Sequence, residues 1–148
     1  MKRILFLCHG NICRSVAAKW IALDYLKKNG RLDEFDIDSR ACSSEEIGND
    51  IYPPMKAALR RAGIPFGPHE ARRLTLREYE EADAIYYMDR SNLRYLSYSF
   101  SDTRHIFKLI CECMPFEEIE DPWYSGNFDL VVDELKECVA KIFGDFEK

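Results

Sequence analysis

The sequence predicts an α/β fold, an open four-stranded parallel sheet with helices on both faces and an anion-binding loop after strand 1. Three observations predict it. Short apolar or alternating runs recur along the chain, separated by longer stretches of helical spacing. The first run passes into a loop carrying Gly10 and Asn11 and then into a long amphipathic stretch, the order of strand, nest and helix. Finally, 148 residues, 47% hydrophobic and 32% charged, suit one globular domain, residues 1–148, that buries roughly two-thirds of its unfolded surface.

The elements follow in order. Ile4, Leu5, Phe6 and Leu7 read as a buried strand ending at Cys8. Residues 15–28 carry Val16, Ala17, Trp20, Ile21, Leu23, Tyr25 and Leu26 on one helical face and stop at Asn29-Gly30. Residues 35–41 alternate as a strand, which a right-handed crossover lays parallel to the first. A turn-rich loop leads to a helix over residues 53–62, with Pro at its first turn and Gly63 beyond it. Residues 64–74 hold Pro65, Gly67, Pro68 and His69 and read as irregular; residues 76–81 read as a short acidic helix. Residues 82–88 and 105–110 are the third and fourth strands, with a helix capped around Asp89 and reaching Tyr98 between them. Residues 117–127 show no periodicity, and residues 128–143 close the chain as an amphipathic helix.

Charge and cysteine usage narrow the function classes. A net charge of −5 argues against a nucleic-acid partner, which requires a basic face. The apolar runs are too short for a membrane span, and the stretch before Cys8 is too short for a secretory leader, so a cytoplasmic protein with no membrane partner is expected, as a monomer. The six cysteines then read as thiols, and Cys111-Glu-Cys113 has the wrong spacing for zinc, so no metal or other cofactor is expected.

The chemistry lies in the string CHGNICRS. Five residues separate Cys8 from Arg14. A turn can wrap His9, Gly10, Asn11, Ile12 and Cys13 into a ring whose backbone N–H groups converge on a dianion, with Arg14 and Ser15 at the positive end of the following helix. Arg14 adds a planar fork that matches two oxygens of a phosphate. The same field favours a thiolate at Cys8, a nucleophile beneath a bound phosphoryl group. Taken alone, a Cys after a strand is more often just a small buried residue.

The full string resembles the active-site loop of the low-molecular-weight protein tyrosine phosphatases, C-x-G-N-x-C-R-S, and matches its fixed positions at the same place after the first strand. The resemblance extends over nearly the whole chain. It implies hydrolysis of phosphotyrosine, on a protein or as an aryl phosphate, with Cys8 as nucleophile, Arg14 as phosphate clamp and Asp121 as general acid and base. Asp121 opens EDPWYSG, and a family D-P-aromatic-Tyr loop carries the acid just before the last helix. Beside the resemblance, Asp-Pro is a common turn starter, while a phenolate leaves poorly unless protonated. Asn11, Ser15, Ser39 and His69 match the hydrogen-bond network that supports the loop in this family. The substrate wall is expected from Ile12, Glu45, Trp123 and Tyr124. Glu45 departs from the family, which often places an aromatic ring there, and Val16 replaces a frequent Pro. Cys13 is the expected redox partner of Cys8, as the family often shows such a pair.

Three alternatives use the same loop. A thioredoxin-coupled arsenate reductase needs two further cysteines in a mobile segment, for which only Cys111 and Cys113 offer themselves. A protein-arginine phosphatase tends to carry Thr where Ile12 stands. A binding module for phosphorylated ligands needs neither a thiolate nor Asp121.

Overall fold

The structure is a computed structural model, and it describes residues 1–146. Four strands form one sheet in the order β2-β1-β3-β4, with every pairing parallel. They are β1 (Lys2–Cys8), β2 (Phe35–Ala41), β3 (Ala84–Tyr87) and β4 (Phe107–Leu109). Among the described residues six α-helices surround them: α1 (Arg14–Lys28), α2 (Pro53–Arg61), α3 (Leu76–Glu81), α4 (Arg90–Leu96), α5 (Pro122–Ser125) and α6 (Phe128–Asp145).

The period-2 geometry of β1 divides the core. Ile4, Phe6 and Cys8 point to one face and pack with Val16, Ile21 and Leu26 of α1, Met55 and Leu59 of α2, and Leu135, Val139 and Phe143 of α6. Leu5 and Leu7 point to the other, against Leu74, Tyr79 of α3, Ile85, Leu96 of α4 and Ile106. Residues 4–7 are all 0% exposed, which is why this run shows no polar alternation. The parallel register pairs Cys8 with Ala41, so the ends of the two strands lie side by side at the carboxyl edge, where open α/β sheets place their ligands.

Where boundaries differ from those expected, side chains account for it. The third strand begins at Ala84, because the Ala82 N–H closes the last turn of α3 on the Glu78 carbonyl. It ends at Tyr87, because Asn92 Oδ1 accepts from the N–H groups of both Met88 and Asp89. The fourth strand shortens to Phe107–Leu109. His105 takes a left-handed φ of 55°, and the Asp102 carboxylate accepts from Ile106 N and Phe107 N at 3.0 Å. The expected loop over residues 117–127 contains the single turn α5, which starts at Pro122 and stops at Gly126 in the left-handed region. A 3₁₀ turn, Leu32–Glu34, also precedes β2. Among the described residues no helix is long and apolar enough to cross a membrane.

Candidate active site

β1 delivers Cys8 to the sheet edge, and the chain then turns through residues 9–13 into α1. Two backbone conformations roll that loop: Asn11 is left-handed at φ 61°, and Cys13 sits at φ −125°, ψ −89°. Its carbonyls are held by neighbouring elements. Cys8 O accepts from Cys42 N at 2.9 Å, His9 O from Ser43 N and Oγ, and Ile12 O from Tyr52 N at 2.9 Å. Among the described residues, the backbone N–H groups of Gly10, Asn11, Ile12 and Cys13 meet no protein acceptor. The N-terminus of α1 has no side-chain cap and no acidic residue in its first turn, unlike α3, α4 and α5, capped by Thr75, Asp89 and Asp121. A set of free donors at a helix start is an anion nest. Gly10 allows a close approach: a Cβ there would stand 3.1 Å from Glu46 Cγ, a tight contact that this side chain would have to relieve by shifting.

Asn11, 0% exposed, is the strut of the loop. Its Nδ2 donates to Ser15 Oγ (2.8 Å) and Ser39 Oγ (3.0 Å), its Oδ1 accepts from Arg72 N (3.1 Å), and its carbonyl accepts from His69 Nε2 (2.6 Å). These bonds fix Asn11 in the left-handed region, which Asn tolerates better than most non-glycine residues. They also tie the loop to the sulfur: Ser15 Oγ, which accepts from Asn11 Nδ2, also accepts from Cys8 Sγ, 3.1 Å away. Burial holds the His69 pKa below the usual histidine value, so the ring is neutral and gives its one N–H to Asn11 O.

Arg14 is 2% exposed, and its Nη1 donates to Asp89 Oδ2 (2.7 Å) and to the Ile119 carbonyl (2.8 Å). That leaves Nε and Nη2 for an oxyanion. Burial opposes its charge, but Cys8, Asp89 and Asp121 together outweigh it, and its pKa is raised. Asp121 Oδ2 stands 3.7 Å from Nη2, while Oδ1 caps α5 by accepting from Trp123 N at 3.0 Å. A cleft of about 190 Å³ opens between these groups, lined by Cys8, Ile12, Cys13, Arg14, Glu45, Asp121, Trp123 and Tyr124. A larger cavity, about 290 Å³, lies by β4 and the end of α6 and has none of the loop's converging donors.

The predicted residues therefore converge. Ser39 and His69 stand behind the loop, in contact with Asn11 and outside the cleft lining. The side chain of His9 lies at the rim, its Nε2 2.9 Å from Glu45 and its ring edge-on to Tyr95. Cys13 and Cys42 are both buried, and burial first, then the neighbouring Cys8, pushes both thiols up. Cys111 is buried with its sulfur on the Glu117 carbonyl, while Cys113 is exposed.

Sequence reasoning missed four contributors. Asp89 was legible as a helix cap but not as the partner of Arg14; one oxygen caps Asn92 N and the other meets the guanidinium. Tyr52 ties Ile12 through its N–H and stacks on Trp123 at 4.7 Å, and nothing around it in sequence marks it. The Ile119 carbonyl and Arg72 N–H are backbone groups that no sequence pattern reveals.

Comparison with known proteins agrees with this geometry. The sequence model of the family "Low molecular weight phosphotyrosine protein phosphatase" matches residues 3–148. The low molecular weight protein-tyrosine-phosphatase YfkJ of Bacillus subtilis is 32% identical over 152 aligned positions, covering 100% of this chain and 97% of that protein. The human low molecular weight phosphotyrosine protein phosphatase is 32% identical, covering 93% of this chain and 90% of its own. The crystal structure of YfkJ superposes with a TM-score of 0.92 at 30% identity over 99% of this chain and 95% of that one. That of SP-PTP, from Streptococcus pyogenes, gives 0.87 at 26% identity over 98% and 93%. The chain belongs to the low molecular weight phosphotyrosine protein phosphatase family, and is thus a hydrolase of the protein-tyrosine-phosphatase class.

Proposed function

We propose that this protein, acting as a single domain, hydrolyses phosphotyrosine through a phosphocysteine intermediate on Cys8. The observation that carries the reading is the convergence of the Cys8 sulfur, the Arg14 guanidinium and the Asp121 carboxyl on one cleft above a loop of free N–H groups. In the first step the Cys8 thiolate attacks phosphorus, the bond to the tyrosyl oxygen breaks, and Asp121 in its acid form gives that oxygen a proton. In the second, Asp121 as carboxylate takes a proton from water, the water oxygen attacks phosphorus, and the P–S bond breaks to return the thiolate and inorganic phosphate. Arg14 and the loop N–H groups hold the equatorial oxygens in both steps.

The ester class follows from the walls. Ile12 presents an apolar side chain, and Trp123, backed by Tyr52, whose ring in turn meets Phe128, faces the same cleft. Such apolar and aromatic walls suit a phenyl ring. The bonded, buried Cys111 is a poor electron relay, which weighs against arsenate reduction.

The test is hydrolysis of phenyl phosphate and of a phosphotyrosyl peptide by the purified protein with chelator present. Turnover in wild type, its loss in Cys8→Ser and retained binding of inorganic phosphate by that variant are expected. Wild-type-like turnover by Cys8→Ser would exclude the intermediate.

A further inference from the structure

The rim of the cleft carries a charge pattern opposite to that of its floor. Inside, the one Lys or Arg among the described lining residues is Arg14, 2% exposed. Outside, Glu45 and Glu46 line the opening, and among the described residues no Lys or second Arg does so. Glu46 is occupied, because its Oε2 accepts from Asn49 Nδ2 at 2.6 Å. The Glu45 side chain is 67% exposed, and its one partner among the described residues is His9 Nε2 at 2.9 Å. His9 is itself held on the far side, where its ring meets Tyr95 edge-on at 5.3 Å. Trp123 and Tyr124 face the rim from α5, 53% and 86% exposed, and aromatic faces also accept cations.

We propose that Glu45 is a specificity residue which receives a cationic side chain beside the phosphorylated tyrosine, so that the preferred substrate is a phosphotyrosyl segment with Lys or Arg next to the phosphorylated residue. This rests on the phosphotyrosine reading above. In the free protein His9 holds Glu45 at the rim; in the complex the carboxylate exchanges His9 for the substrate's ammonium or guanidinium. Because a partner is present in both states, the gain is that of an exposed pair, about 2- to 5-fold in kcat/KM. A flanking Glu meets the same carboxylate as a like charge and loses a similar factor, so peptides bearing Lys and Glu separate by roughly 5- to 20-fold. The effect fades at high ionic strength, since these charges face solvent.

The experiment measures kcat/KM for phosphotyrosyl peptides that differ only in Lys, Ala or Glu on either side of the phosphotyrosine, each divided by the same protein's value on phenyl phosphate. Wild type, Glu45→Gln and Glu45→Lys are compared. The expected order in wild type is Lys above Ala above Glu at one flank or both, compressed toward one in Glu45→Gln and reversed in Glu45→Lys. Reversal is a readout that a merely structural Glu45 would not produce. A flat wild-type series, or a Lys preference that survives both substitutions, overturns the assignment while turnover of phenyl phosphate leaves the hydrolytic reading standing. No turnover of phenyl phosphate by wild type overturns both.

Discussion

Replacing Asp89 separates two tasks that one carboxylate performs. Its Oδ1 caps α4 through Asn92 N at 2.9 Å, and its Oδ2 holds Arg14 Nη1 at 2.7 Å. Serine at this position keeps an N-cap but does not reach the guanidinium, whereas alanine loses both. Breaking a buried ion pair costs about 3–5 kcal/mol. Here the Asp89 side chain is 18% exposed, and Ile119 O and Asp121 remain beside Arg14. A discounted loss of about 1–3 kcal/mol is therefore expected for Asp89→Ser. Asp89→Ala adds a missing cap, about 1 kcal/mol more. For a chain of this length each kcal/mol lowers Tm by about 2–4 °C, so the Ser variant melts roughly 2–12 °C below wild type and the Ala variant a few degrees lower again. The second readout is the rise in Tm on adding inorganic phosphate, which follows its affinity. An Arg14 no longer held in place loses a charge-assisted contact to the anion, so phosphate binds roughly tenfold more weakly in both variants. A Ser variant with the wild-type phosphate shift would refute the claim that Asp89 orients the clamp.

Three further outcomes follow from the site. Asp121→Ala should lose about 10²- to 10⁴-fold on phenyl phosphate but much less on an activated aryl phosphate, whose leaving group needs no proton; equal losses on both would make Asp121 structural. Under peroxide, wild type should inactivate and recover with a dithiol, as Cys8 sulfenic acid condenses with the Cys13 thiol to a disulfide and water. Cys13→Ser should recover incompletely, and mass spectrometry finding Cys8 joined instead to Cys42, also buried beside it, would reassign the partner. Burial depresses the His69 pKa below the value near 6.5 of the unfolded chain, so unfolding takes up a proton as pH falls below that value. Its stability contribution is complete above about pH 6.5 and is lost toward the depressed folded pKa. His69→Gln keeps a donor for Asn11 O without titrating, so the fall in Tm between about pH 7 and 5.5 should be shallower than in wild type; identical slopes would remove His69 from the account.

The order of strands and helices was legible in the sequence because each element carries its own period. Phe35, Ile37, Ser39 and Ala41 bury alternate positions of β2, and α6 shows a continuous apolar stripe from Val131 to Phe143. The nest was legible too, since Cys8 to Ser15 are consecutive and a short ring closes by local geometry. Strand ends were not: β3 stops where Asn92 takes the N–H groups of Met88 and Asp89, and β4 shortens where Asp102 takes those of Ile106 and Phe107. Those are side chains competing with the ladder, and period says nothing of them.

What the sequence by itself marked out is the proposed reacting set, Cys8, Arg14 and Asp121, through motifs whose spacing is covalent or whose family resemblance is specific. What only the tertiary structure decided is how that set is held. Arg14 meets Asp89 and the Ile119 carbonyl, Asn11 meets Ser39, His69 and Arg72, and His9 meets Glu45. These partners come from strand ends and loops far apart in the chain, brought together because a parallel sheet gathers the carboxyl ends of its strands at one edge. Several of the contacts run through backbone carbonyls and N–H groups, which every residue possesses, so only the fold selects which of them face the site.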